Sequence, residues 1–302
     1  MSLRRTNVPL GIMCMLAATV LFAGSSAAAK WFVTTYPFGE VLFMRQIASF
    51  MTGAVLILPF TGFRVFRTNR FPAHGMRAIS QVVSQSLIII AFSLMPLGSA
   101  VAINFSAPLF ATLASAFFLR EHVGAVRWIT LVVGLVGVLV ITNPGQSTFQ
   151  IGALFALGNA ILYGSVTAGV RGMTTTESTE TLLVYQMVVL TIAYTCFLPF
   201  GFIMPTLADG AYMMLLGVAN FFAQYFWTRS LHLAPASAVA PFYYFSLVWA
   251  LLLGFMFWGE IPTLPLFAGS AIVVGSGMFL LLHENGKKRR ARRIASQEGG
   301  QK

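Results

Sequence analysis

Long apolar stretches alternate along this chain with short polar breaks, and the stretches carry the length that crosses a bilayer rather than the shorter periodic pattern of a soluble core. Spanning the hydrocarbon takes about 20 apolar residues. Ten such segments run from roughly 9 to 29, 39 to 59, 76 to 95, 99 to 119, 125 to 142, 151 to 170, 181 to 200, 209 to 231, 236 to 258 and 263 to 283. Turn-forming residues punctuate them: Tyr36-Pro37, Pro96-Leu97-Gly98, Asn143-Pro144-Gly145 and Ile261-Pro262. The connections leave no room for a separate soluble domain. The pattern predicts an all-α integral membrane protein with ten transmembrane helices.

The pattern is also written twice. At an offset of 141, Gly11, Leu16, Leu21 and Ala27 meet Gly152, Leu157, Leu162 and Ala168, with Phe22 on Tyr163, Ser26 on Thr167 and Lys30 on Arg171. At 140, the spacing Glu40, Leu42, Gln46 recurs as Glu180, Leu182, Gln186. At 139, Gln81, Gln85, Leu94, Pro96 and Glu121 fall on Asn220, Gln224, Leu233, Pro235 and Glu260. Chance likeness between apolar helices reproduces composition, but not an ordered set of polar and turn residues. Residues 1–145 therefore read as a first five-helix repeat, 146–286 as a second, and 287–302 as a basic, disordered cytoplasmic tail. Five spans per half force the copies into opposite orientations, giving two inverted five-helix repeats.

Composition agrees. Only 9% of residues are charged against 57% hydrophobic, with a mean hydropathy of +0.81, which excludes an ordinary soluble domain. Lys and Arg are retained on the cytoplasmic side. With both termini cytoplasmic, every one of the 19 basic residues except Lys30 and Arg45 falls in a cytoplasmic segment. This predicts a multi-pass membrane protein with its N- and C-termini on the cytoplasmic side. The first helix, with Arg4 and Arg5 before it and Ser26-Ala27-Ala28-Ala29 after it, imitates a secretory signal. Cleavage would remove the repeat partner of the sixth helix, so it is read as retained. Cys14 and Cys196 lie within spans and have neither disulfide nor metal spacing. The run from Lys287 to Arg293 suits anionic lipid headgroups better than nucleic acid.

Catalysis has little to draw on. The chain has one aspartate, Asp209, and its seven glutamates and four histidines stand at helix ends, in loops or in the tail. No nucleophile, base and orienting acid converge, and no carboxylate cluster could hold a metal, so neither an enzyme nor a cofactor is expected. The spans instead hold uncharged amides: Gln46, Gln81, Gln85, Asn104, Asn159, Gln186, Asn220 and Gln224. An amide in hydrocarbon without a partner costs several kcal/mol, so these groups must face one another or a polar cavity. Gln81 and Gln85 share one face of the third helix, and Asn220 and Gln224 repeat that face on the eighth. The alternative is interhelical glue, worth about 0.6 kcal/mol per pair. Aromatic residues gather alongside. Phe221, Phe222, Tyr225, Phe226 and Trp227 surround the amides of the eighth helix, and Tyr243 and Tyr244 open the ninth. Amides with aromatic faces suit a planar, polar and largely neutral small molecule. Arg45, about six residues into the second helix, is a charge at a depth where charges are rare and often functional. Its repeat position holds Tyr185, so it marks an asymmetry. The expected substrate-binding set is Gln81, Gln85, Asn104, Asn220, Gln224, Tyr243, Tyr244 and Arg45. Pro108 and Pro241 interrupt spans and each frees a carbonyl. Small residues such as Gly24, Ala28, Gly164 and Ala168 serve folding or homodimer contact alike.

Two five-helix halves, each with Pro96 or Pro235, a Ser-Ala-Val-Ala run (99–102 and 237–240) and an acidic turn at Glu121 or Glu260, resemble the EamA-type carriers of the drug/metabolite transporter superfamily. Lys30-Trp31, Thr35-Tyr36-Pro37, Phe43-x-Arg45, the stretch from Asn104 to Phe110 and that from Leu233 to Phe242 look most like the bacterial group that includes riboflavin and S-adenosylmethionine transporters. The aromatic amino-acid exporters carry tryptophans in the central helices where this chain has none. The resemblance implies a carrier of the bacterial inner membrane working by alternating access around a site lined by helices three, four, eight and nine. A sulfonium cation favours an acidic partner, and no carboxylate lies at the expected midplane, so riboflavin leads. S-adenosylmethionine uptake and efflux of amino acids or toxic metabolites are the alternatives among carriers, and a structural or regulatory membrane subunit is the alternative outside them.

Overall fold

A computed structural model describes residues 7–66, 68, 70–118, 125–142, 147–173, 177–234 and 236–299. The helices in chain order are α1 Val8–Phe32, α2 Phe38–Thr61, α3 Phe71–Leu94, α4 Leu97–Asn104, α5 Ala107–Phe118, α6 Ala125–Thr142, α7 Ser147–Met173, α8 Thr179–Thr195, α9 Leu207–Leu233, α10 Ala236–Tyr243, α11 Phe245–Trp258 and α12 Leu264–Gly299. Two spans are broken helices, α4 with α5 and α10 with α11, so the twelve helices make ten crossings. Six stretches are long and apolar enough to cross a membrane: Val8–Phe32, Phe38–Thr61, Phe71–Leu94, Thr179–Phe200, Pro241–Trp258 and Leu264–His283. Shorter apolar stretches, Leu97–Ala111, Trp128–Thr142 and Ile151–Val166, cover α4 with the start of α5, most of α6 and the middle of α7. The chain is an all-α membrane protein of two inverted five-helix repeats.

Local chemistry sets the helix ends. The Asn7 side chain accepts from the Leu10 N–H, Ser178 from Thr181 and Thr206 from Asp209, so α1, α8 and α9 each begin on a side-chain cap. Pro37 and Pro96 occupy the residue before α2 and α4. Gly259, at φ +63, ends α11 in the left-handed conformation that glycine adopts at no steric cost. α12 runs past His283, where its apolar part ends, to Gly299, so residues 287–299 are helical here and not disordered as the sequence suggests.

The packing follows the repeat. The largest interfaces are α1 with α9, α3 with α7 and α6 with α12. Exchanging the halves turns the first pair into the second and leaves the third unchanged. The break positions obey the same rule, because α4, residues 97–104, is carried by the offset of 139 onto α10, residues 236–243. The prolines do not match. Pro108 stands in the first turn of α5, where its missing N–H is not needed, whereas Pro241 lies inside α10. Not every interface follows the symmetry. α4 packs on α11, with Gly98 against Leu251, while the related pair, α10 and α5, is in marginal contact at most among the described residues.

Polarity runs inside out. Leu207, Phe200, Phe60 and Leu154 are exposed, as is one whole face of α6, whereas Gln46, Gln81, Ser84, Asn159, Gln186, Asn220 and Thr228 are buried. With lipid as the solvent, the hydrophobic surface is the satisfied one and the buried amides must find partners. Close approach depends on small residues. A Cβ on Gly164 would strike the Ala107 carbonyl oxygen, and one on Gly217 would strike the Arg45 carbonyl oxygen and the Ala48 side chain. The repeat matches at Glu121 and Pro235 fall outside the described residues, as do the side chains of residues 287 to 293.

Candidate functional site

The amides divide into those with protein partners and those without. The Asn159 side chain on α7 donates to Asn104 Oδ1 on α4 at 2.7 Å and accepts from Ser84 Oγ on α3 at 2.6 Å. Asn104 and Asn159 thus belong to a chain that joins three helices. Gln46 reaches the Met187 carbonyl at 3.5 Å, and Gln186 accepts from Arg77. These contacts tie α2 and α3 to α8. Replacing Asn159 with Leu would leave the Asn104 carbonyl and the Ser84 hydroxyl without their partner. An expected cost of about 1–3 kcal/mol is measurable as a lowered Tm of the detergent-purified protein.

Gln81, Asn220 and Gln224 behave differently. They are 3%, 5% and 8% exposed, and their side chains make no hydrogen bond among the described residues. Nor are their amide atoms sealed from solvent, as are the Glu40 Oε1 and both His74 nitrogens. A polar group that is largely buried, unbonded and still reachable is one that water or a ligand can satisfy. Gln81 comes from α3 and the other two from α9, helices that the repeat superimposes.

Gln85, one turn beyond Gln81, is half-buried and accepts from Arg45 Nη2 at 2.7 Å. Glu40 plays no part in this contact, since its carboxylate accepts from the Ile203 N–H at 2.9 Å. At the other end of the same face stands Arg77, 6% exposed, which donates to the Leu182 carbonyl at 2.9 Å and to Gln186 Oε1 at 2.5 Å. Arg77, Gln81 and Gln85 are spaced i, i+4, i+8 and form one stripe along α3. Counting basic residues had placed Arg77 at the cytoplasmic surface, yet the structure folds it into the bundle. Its spacing from the two glutamines was the available signal.

Aromatic side chains meet at the helix breaks. Tyr163 on α7 lies near Tyr243 at the end of α10, and its ring is 6.4 Å from that of Trp227 on α9. Phe105, in the break between α4 and α5, meets Tyr243 and Tyr244 edge-on at 5.9 and 5.0 Å. The Tyr244 hydroxyl points towards Gly277 on α12, where an added Cβ would lie 2.6 Å away. The structure thus separates the two neighbouring tyrosines, one turned to α7 and the other to α12. Tyr163 appeared in the sequence only as the repeat partner of Phe22. Nothing there distinguished it from a packing residue.

One end of the bundle, where α1 finishes, is tied shut. Lys30 Nζ pairs with Glu260 Oε1 and donates to the Met95 carbonyl at 3.0 Å, with the Trp258 ring 5.2 Å away. Glu260 Oε2 accepts from the Leu97 N–H at 2.9 Å. The Tyr36 hydroxyl donates to Asp209 at 2.7 Å. Lys30 and Glu260 form the sole ion pair among the described residues, and no group of His, Cys, Asp and Glu there could hold a metal.

A riboflavin transporter from Vibrio cholerae serotype O1 is 29% identical over 298 residues, covering 94% of this chain and 97% of its own. An S-adenosylmethionine uptake transporter from Rickettsia bellii is 24% identical over 94% of this chain and 97% of its own. A solved crystal structure shares the fold, with a TM-score of 0.64 at 19% identity, over 90% of this chain and 96% of that one. The EamA-like transporter family model matches residues 9–143 and again residues 150–282, one copy for each half. With both halves accounted for, this chain belongs to the EamA-like transporter family and is a membrane transporter of small molecules.

Proposed function

We propose that this transporter takes up riboflavin, or a closely related flavin, by alternating access at the open space between α3 and α9. The observation that carries the reading is the set of unbonded amides, Gln81, Asn220 and Gln224, with a ring cluster that reaches α9 at Trp227, three residues from Gln224, where it meets Tyr163. The edge of an isoalloxazine alternates acceptors with a donor, which amides match, and its face stacks on aromatic rings. The naming of one relative as a riboflavin transporter supports the same choice. Gln85 and Arg45 extend the site, Tyr244 supports it through Phe105, and Asn104 holds it through Asn159.

The positive-inside distribution of Lys and Arg supports cytoplasmic termini and an inner-membrane location. The tied end then faces outward, and contact of α4 with α11 without its symmetric counterpart describes an inward-facing state. Exchange of these two contacts between the repeats would open the other side. The halves act as units 1–145 and 146–286, and the basic segment 287–302 lies against anionic lipid.

Uptake of labelled riboflavin by a riboflavin-auxotrophic bacterium expressing the chain tests the proposal. Saturable uptake blocked by excess flavin but not by aromatic amino acids is expected, and Gln224→Leu should reduce it at least tenfold while leaving the inserted amount unchanged. No uptake from confirmed, inserted protein would overturn the flavin reading. Equal flux in Gln224→Leu would remove that residue from the site.

A further inference from the structure

We infer that Arg45, held by Gln85, determines specificity by binding the electronegative edge of the transported molecule and by excluding cations. The inference rests on the interior space being the transport path.

Arg45 is 8% exposed, so its guanidinium has lost most of its water. Bulk solvation is replaced by a single neutral acceptor, Gln85 Oε1, and Arg45 Nε has no partner. The second terminal nitrogen, Nη1, makes no hydrogen bond among the described residues and is not sealed off, so it is left to meet a ligand. Among the described residues no carboxylate pairs with Arg45: Glu40 Oε2 accepts from the Ile203 N–H, Glu260 pairs with Lys30, and Asp209 and Glu177 accept from the hydroxyls of Tyr36 and Thr68. Arg77, at the other end of the stripe, is also buried and, among the described residues, is bonded only to neutral acceptors. Two guanidiniums with no carboxylate partner among those residues therefore bracket Gln81.

A buried charge persists only when compensated. Here the compensation is left to water and to whatever enters. A ligand with two neighbouring acceptors, a carbonyl beside a ring nitrogen or a carboxylate, would meet Nη1 and the free N–H groups of Gln85 as a fork, whereas a cation would be repelled by both arginines. The duplication isolates this role. Tyr185 and Leu216 stand where the repeat would place second copies of Arg45 and Arg77, so the positive field belongs to one wall of the space.

Three probes test it on detergent-purified wild type, Arg45→Lys, Arg45→Gln and Arg45→Glu, with binding read as a ligand-dependent rise in Tm: riboflavin, S-adenosylmethionine, and S-adenosylhomocysteine, which lacks the sulfonium charge. Wild type should bind riboflavin and prefer S-adenosylhomocysteine to S-adenosylmethionine. Arg45→Gln should weaken riboflavin about ten- to a hundredfold, Arg45→Lys should restore part of the loss, and Arg45→Glu should reverse the preference within the adenosyl pair. Wild type that ignores riboflavin but shows this reversal would sink the flavin reading and leave the inference standing. Variants that keep the wild-type order of affinities, or a wild type that responds to none of the three, would overturn the inference.

Discussion

Gly217→Val is expected to abolish the folded protein. The Gly217 backbone on α9 lies directly on α2, and even a single added carbon would strike the Arg45 carbonyl oxygen and the Ala48 Cβ, with the Ser49 nitrogen 3.0 Å away. Two of these three atoms are backbone, so no side-chain rotation relieves the clash, and α9 would have to leave α2. Overpacking in a tight core costs about 1–3 kcal/mol and sometimes more. A valine against backbone belongs at or beyond the top of that range, which is comparable with a large share of the whole stability of a protein. The displacement would also carry Asn220 away from α3. Size-exclusion profiles and Tm in detergent should show aggregation or a strongly lowered transition for Gly217→Val. For Gly24→Val, where an added Cβ meets nothing within 4 Å, they should be close to wild type. Equal behaviour of the two variants would show that the α2 to α9 approach is not limiting.

Glu260→Gln is expected to have the largest effect on transport among variants that still fold. Glu260 joins three elements, receiving Lys30 from α1 on one oxygen and the Leu97 N–H at the start of α4 on the other. The two side chains are only 10% and 18% exposed, so the ion pair is largely withdrawn from water. Removing one partner of such a pair leaves the other buried and costs about 3–5 kcal/mol, while a neutral amide can still accept from Leu97. The loss falls on the state in which this end is closed, because only there do the three elements meet. A bias of about 3 kcal/mol against that state is roughly a hundredfold shift in the conformational equilibrium. Flux should fall accordingly, and a cysteine introduced at Val101 on α4 should become more reactive towards an impermeant maleimide from the far side. Lys30→Met should do the same. The double variant Lys30→Met with Glu260→Gln should recover much of the loss, since removing both charges leaves neither unpaired. Additive losses in the double variant would mean that the two residues act independently.

Much of this architecture was legible in the chain itself. The ordered polar matches, Lys30 with Arg171 and Gln81 with Asn220 among them, required a duplication, and five spans per half required inversion. Gln81, Asn220 and Gln224 could be selected as buried amides because a polar group in an apolar span must be explained. Their lack of partners could not be read. Asn104 and Asn159 have the same residue type and the same apolar surroundings as Asn220, yet they bond each other across α4 and α7, 55 positions apart.

What the sequence determined by itself is set by the solvent. Lipid fixes the length of a span, hydropathy finds the spans, and repetition fixes their order and orientation, all of them properties of local composition or of self-similarity. The tertiary structure decided which polar groups are spent and which are left to meet a ligand, because that depends on partners from other helices: Gln85 for Arg45, Gln186 for Arg77, Asn104 for Asn159 and Glu260 for Lys30. Arg77 shows why. Hydropathy puts it at the edge of a span, where an arginine reaches water, and only the approach of α8 turns that edge into an interior. A side chain's depth is a distance to its neighbours, and neighbours exist only once the helices have packed.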